Sequence, residues 1–434
     1  MRSLVIVALL VVAHPALAER RILVRNPAQY EQALSAVAPG DTIVLADGVW
    51  RDAQLEFRGK GRAGKPITLT AQTPGRVVFS GQSNLRLSGS HLVVSNLVFR
   101  DGYSPTGEVV SFRRAPGDHA VDSRVTGLVI DRYNKPSRDS LDHWVALFGE
   151  RNRFDHGHLV GKTNLGPTLV VVREPVDGLR NDHRIDHNFF GPRPDVGGNG
   201  GETIRIGTSE YAHTVSHTVV DNNWFEHCDG ENEIVSNKSG GNIFRANVFF
   251  ESQGALVLRH GDGALVEGNV FLGNGKPRTG GIRVINRGQT VRDNYMEGLA
   301  GEGFVGALSV MYGVPNSPAI RYAQVDGAVI EHNTIINARS IVLGLGLDKE
   351  RTAPPLNSRL ASNLIVNLDG SDPIRIIGDA SGIALSNNLR DPKTVLKRRA
   401  NGQLQAVDGG DVGAKSLVVV ERAATGVSWY PKAP

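Results

Sequence analysis

Cysteine is nearly absent from this 434-residue chain: Cys228 is the single one. An intramolecular disulfide and a cysteine-rich zinc site are therefore excluded, and stability must come from a large apolar core. Aromatic residues are scarce at 6%, and the apolar content rests on Val, Ile and Leu. An excess of one charge is also missing, since 48 Lys+Arg against 44 Asp+Glu leave a formal +4 with the signs interspersed. That balance argues against a dedicated nucleic-acid binder. Beyond residue 18 no apolar run approaches the ~18 residues of a membrane helix. Residues 1–18 carry Arg2, an apolar run from Leu4 to Ala13, and Ala16-Leu17-Ala18. They read as a secretory signal with a small-residue cleavage site. Export to the periplasm or the exterior is expected, without a membrane span.

Glycine is in excess, with 51 residues in 434 against a usual ~7%. Many short strands joined by tight turns would need it. A phrase of Asn, any residue, then a large apolar residue recurs at Asn188, Asn223, Asn247, Asn269, Asn294, Asn333 and Asn363, and more weakly at Asn387. The short spacings lie in the low twenties, and the longer ones fit that period plus a loop. Between them run alternating segments such as Leu92-Val93-Val94 and Gly281-Ile282-Arg283-Val284-Ile285, the signature of strands. Such a period predicts a solenoid of stacked strands, each coil burying its apolar face against its neighbours. The Asn column suits a turn position that tolerates left-handed backbone, its amides bonding from coil to coil.

Solenoid ends need covers. Asn26-Pro27 followed by Ala28–Leu34 predicts a short capping helix with Asn at the N-cap and Pro at N1. The repeat fades after about residue 392, and Leu417–Val420 is a possible last strand. The expectation is one all-β domain over 19–434, with an N-terminal cap at about 24–40 and a C-terminal cap at about 393–434.

The densest polar stretch runs from Asp229 to Ser239. On a strand, Glu231 and Glu233 would face one side with Cα atoms roughly 6.5–7 Å apart. Carboxylates so placed repel unless a cation lies between them, and oxygen-rich sites suit Ca²⁺. Arg259 and His260 follow Lys238 by one repeat, so the winding gathers Glu, Glu, Lys, Arg and His on one patch. A solvated ion-pair ladder of little energetic worth is the plainer alternative. Upstream, the Gly-rich segment Gly197–Gly207 offers Asn199 or Glu202 as a further oxygen ligand. Arg283, one coil beyond Arg259, and Tyr312 are candidates for binding substrate.

Asn199-Gly200-Gly201-Glu202, then Glu231-Asn232-Glu233 with Lys238-Ser239, then Arg259-His260-Gly261 together resemble polysaccharide lyase family 6, which holds alginate lyases and the chondroitinase B type. The resemblance implies a right-handed parallel β-helix. It implies calcium-dependent cleavage of a 1,4-linked uronate polymer by β-elimination, with alginate preferred over dermatan or chondroitin-type chains. It makes Lys238 the base, Arg259 the acid, and Glu231 and Glu233 Ca²⁺ ligands, with Asn199 chosen as the third; by position on the same face, His260 would bind substrate or support Arg259, and Arg283 and Tyr312 would bind substrate. The partner is then an anionic polysaccharide, and a monomer is expected. A β-helical hydrolase using the two glutamates and a non-catalytic glycan-binding solenoid are the competing readings.

Overall fold

Three short strands make each coil, and the strands of the coils pair in parallel with their counterparts one coil away. In the computed structural model, which describes residues 19–415, 417 and 419–432, one coil reads Val219–Asp221, Trp224–Glu226 and Glu233–Lys238. The next reads Ile243–Arg245, Val248–Phe250 and Gly254–His260, and the one after Leu265–Glu267, Val270–Leu272 and Thr279–Val284. Stacking generates three long sheets: a first of 14 strands, a second of 14 and a third of 12. This is a parallel β-helix. The antiparallel pairs among named strands are two, Arg113–Ala115 with Asp118–Val121 and Leu396–Arg398 with Leu404–Ala406. The proposed signal, residues 1–18, lies outside the described residues. Among those described, no helix is long and apolar enough to cross a membrane.

Alternation sorts the side chains. In Gly254–His260, Leu256 and Leu258 enter the solenoid core, whereas Ala255 and Val257 join an outer cluster with Met311 and Val342. Inside, Phe190, Phe225, Phe249 and Phe271 stack coil on coil, with ring centroids 4.5–4.9 Å apart. That spacing is the inter-strand distance of a sheet, so the large apolar residue of each repeat packs on its own copy.

The Asn column forms a buried ladder. The Asn188 amide donates to Asn223 Oδ1 at 2.9 Å, Asn223 to Asn247 at 3.0 Å, and Asn247 to Asn269 at 2.9 Å. The series continues through Asn294, Asn333 and Asn363. Its last rung is Asn388, not Asn387. The left-handed turn residue is the one before each rung: Asn222, Ala246, Asp293, His332, Ser362 and Asn387 all have φ between 51° and 55°. The ladder residues are thus chosen for their amides, which satisfy buried backbone at the corner.

The helix Pro27–Leu34 forms as expected, with Asn26 Oδ1 accepting from Gln29 N at 2.9 Å. It sits over the first coils and buries Tyr30 and Leu34. The chain after 393 lies along the flank of the solenoid and not across its end. Leu396 and Leu404 pack on Ile336 and Leu364 of the third sheet. From Gly413 the backbone runs back over many coils: Gly413 N bonds Ser362 O, Arg422 pairs with Glu226, and Gly426 N bonds His187 O. Neither Leu417, Val419 nor Val420 is in a strand.

Candidate active site

A cleft of about 780 Å³ opens on the outer face of the second sheet. Register sets its floor. Arg205, Ser236, Val257 and Arg283 are in-line partners on four successive coils, so alternation turns them all outward. Between Ser236 and Lys238 the pairing shifts: Ser236 faces Val257, but Lys238 faces His260. Without the shift Lys238 would face Arg259 directly; with it His260 takes that position, while Arg259 still lines the cleft with Lys238. Bulges re-aim side chains in this way next to functional sites.

Asn199, Glu202, Glu231, Glu233, Lys238, Arg259 and Arg283 all line this one cleft. Glu233 opens the strand Glu233–Lys238, and its Oε2 accepts from Ser236 Oγ at 2.6 Å. Its Oε1 lies 3.8 Å from Arg259 Nε and 3.6 Å from Arg283 Nη1. Glu231 is not on a strand as expected but in the bend before it. Gly230 and Gly201 permit this, because a Cβ on either would lie within 2.2 Å of the other's carbonyl oxygen. The two acid-bearing loops therefore touch backbone to backbone. Burial, and then the nearby Glu202 and Glu233 charges, raise the Glu231 carboxyl well above the usual carboxylate range, against the pull of Lys238 and Arg193. Glu202 is also buried, and its Oε2 has no hydrogen-bond partner.

Other candidates are placed differently. His260 is in register with Lys238 but buried, and it lines a smaller neighbouring cavity of about 210 Å³. Burial, then the Arg259 and Lys238 charges, push its imidazole down to about 3, so it is neutral. Tyr312 does not reach the cleft. It is buried, and its hydroxyl donates to Asp379 O at 2.9 Å. The tyrosine that lines the cleft is Tyr322, whose ring lies 4.0 Å from the Arg259 guanidinium carbon. Arg205, Arg278 and Phe304 also line it, without having been singled out in the sequence. Arg278 closes one end, donating to Asp195 at 2.9 Å and to Asn232 at 3.0 Å. Tyr322 and Phe304 sit in the long insert between Asn294 and Asn333, where the repeat gives no position.

Could these residues hold a cation? The donors are carboxylate and amide oxygens, the unpartnered Glu202 oxygen is buried beside them, and burial with the Glu202 and Glu233 charges leaves Glu231 short of compensation. That donor set suits a hard divalent ion. Among the described residues no three His, Cys, Asp or Glu side chains converge closely enough to hold an ion alone, so an amide such as Asn199 would have to contribute.

A family model described as Chondroitinase B matches residues 24–423. The chain belongs to that family, polysaccharide lyase family 6. Among solved structures, the PL6 family alginate lyase AlyGC is 51% identical with a TM-score of 0.92, over 95% of this chain and 59% of that one. The chain thus spans about three fifths of that relative's length. A mannuronic acid specific family 6 lyase from human gut microbiota is 34% identical with a TM-score of 0.78, over 85% of this chain and 87% of its own. The PL6 family polysaccharide lyase of Pseudopedobacter saltans is 25% identical with a TM-score of 0.82, over 94% of this chain and all of its own. No curated protein matches.

Proposed function

We propose that this family 6 chain is an exported polysaccharide lyase that cuts a 1,4-linked uronate polymer, alginate above all, by β-elimination. The observation that carries the reading is the convergence of Lys238, Arg259 and Arg283 on a carboxylate-rich cleft. The alginate lyases at 51% and 34% identity support alginate over a dermatan-type chain.

The C5 proton of a uronate lies beside a carboxylate, so its removal adds charge to an anionic group. Arg283, Arg205 and Arg278 supply cations for the polymer's carboxylates, and fixed charges of this kind stabilise what develops in the transition state. Lys238, as the neutral amine, takes the C5 proton and returns it to solvent once the product has left. The electron pair left behind forms the C4=C5 double bond, the C4–O bond breaks, and the departing oxygen takes a proton from Arg259, which regains one from solvent. Arg259 shares the cleft lining with Lys238, so both groups face the bound polymer. Glu231, Glu233 and Asn199 would hold Ca²⁺, with Glu202 beside them. Bound there, the ion supplies Lewis-acid neutralisation of the substrate carboxylate.

Lys238→Ala tests the assignment. Loss of a positioned base costs about 10²–10⁴-fold, read as ultraviolet absorbance from unsaturated chain ends while circular dichroism stays unchanged. Reducing ends released without unsaturation would mark a hydrolase and overturn the reading. Chelation should abolish turnover and added calcium restore it; chelator-insensitive turnover removes the metal from the proposal.

A further inference from the structure

Arg193 is a buried cation that the reaction does not use. It is 2% exposed and forms no ion pair among the described residues, which is a costly state for a charge. Its guanidinium is instead a hub. Nη1 donates to Glu202 O at 2.6 Å and Thr168 Oγ1 at 3.1 Å. Nη2 donates to Gly166 O at 2.8 Å, and to Asn164 O and Gly200 O, each at 3.2 Å. Two of these carbonyls belong to the loop carrying Asn199 and Glu202. The other acid-bearing loop rests on the same side chain, because a Cβ on Gly230 would lie 3.0 Å from Arg193 Cδ and Nε. Main-chain bonds add to this: Val196 N donates to Gly230 O, and Asp229 N to Arg193 O. With the loop carbonyls drawn down onto the guanidinium, Asn199 and Glu202 stay in the cleft lining.

We infer that Arg193 is a positioning residue for the cation site: its planar fork fixes the Asn199–Glu202 loop against Glu231, and its charge lies beneath the gathered carboxylates. This rests on the calcium reading above. A lysine cannot reproduce the fork, since it presents a point charge where five acceptors are spread in a plane. Arg173 is the matched control. It is equally buried and donates to Leu179, Asn181, Tyr211, Thr214 and Val215, and it is not in the cleft lining.

Calcium titration calorimetry on the full chain decides the matter, with thermal unfolding of each metal-free protein alongside. Arg193→Lys should weaken calcium binding by about 10–100-fold, the usual cost of losing a residue that orients metal ligands. Arg173→Lys should lower Tm and leave calcium affinity within about twofold. Equal affinity in Arg193→Lys and the parent, or equal weakening by Arg173→Lys, overturns the inference while the calcium reading stands. A parent chain that binds no calcium overturns both. If Arg193→Lys does not fold, Thr168→Val decides instead: removing one acceptor should weaken calcium by a few-fold, and an unchanged affinity overturns the inference.

Discussion

A guanidinium lying against an aromatic ring keeps its charge and loses much of its freedom. Arg259 is held in this way by Tyr322, with Arg351 5.5 Å from the same ring and Glu233 at 3.8 Å on the other flank. Such stacking is worth ~0.5–2 kcal/mol, so Tyr322→Ala should lower kcat/KM by about 3- to 30-fold. Tyr312→Phe is the contrasting change. It removes a hydroxyl bonded to the Asp379 backbone, so kcat/KM should stay within about twofold while stability falls by ~1 kcal/mol. Steady-state kinetics and urea unfolding on both variants separate the two roles. Lys238, Arg259 and Arg283 were legible because they sit on regular strands, where the spacing from one to the next is set by the coil. Tyr322 was not legible, because it lies in an insert whose length hides its phase. Tyr312 misled for a related reason: a tyrosine near a predicted cleft gives no sign in sequence of which side of the sheet it takes.

At the level of the coil, the ladder and the turn before it do separate work. Asn247 Oδ1 accepts from both Asn223 N and Asn223 Nδ2, and its own amide donates to Val220 O and Asn269 Oδ1. Asn247→Ala strands several of these groups where no water reaches, a loss of about 2–4 kcal/mol in urea unfolding. The preceding residue, Ala246, is held at φ +52°, a conformation that costs an L-residue with a plain Cβ roughly 1–2 kcal/mol. Its counterparts at 222 and 387 are asparagine, which tolerates that backbone better. Ala246→Asn should therefore stabilise the fold by ~0.5–1 kcal/mol, and a fall in the urea midpoint would refute this account of the corner. The repeat itself was readable because each coil reuses one apolar and one amide position. Assigning the left-handed role to the wrong member of the pair was unavoidable, since asparagine serves both an αL turn and an amide ladder. Only the buried amide-to-amide bonds distinguish them.

A solenoid is joined mainly through neighbouring coils, and the C-terminal segment is an exception with consequences for the whole molecule. It ties Ser362 to His187 through Gly413 and Gly426, and Tyr430 reaches Asp131 at 2.6 Å. Beneath it lies His158, with neither ring nitrogen hydrogen-bonded and the Tyr430 ring 5.2 Å away. Burial, then the Lys432 and Arg422 charges, push this imidazole from 6.5 down to about 4; His183, buried elsewhere in the solenoid, is pushed down to about 3. In the unfolded chain both would take up protons near 6.5. Their contribution is therefore fully present above pH 6.5 and is lost as pH falls from there through about 4 and about 3. For His158 the loss amounts to ~1–3 kcal/mol. Deleting residues 413–434 would expose His158 and restore its ordinary titration, but leave His183 as it is. The shortened chain should melt at a lower temperature at pH 8, because Val427 no longer covers Val98 and Val129, yet its Tm should fall less steeply between pH 6.5 and 4 than that of the full chain. Parallel slopes over that interval would mean that the segment stabilises the solenoid by packing alone and that His158 is not what makes the flank sensitive to acid.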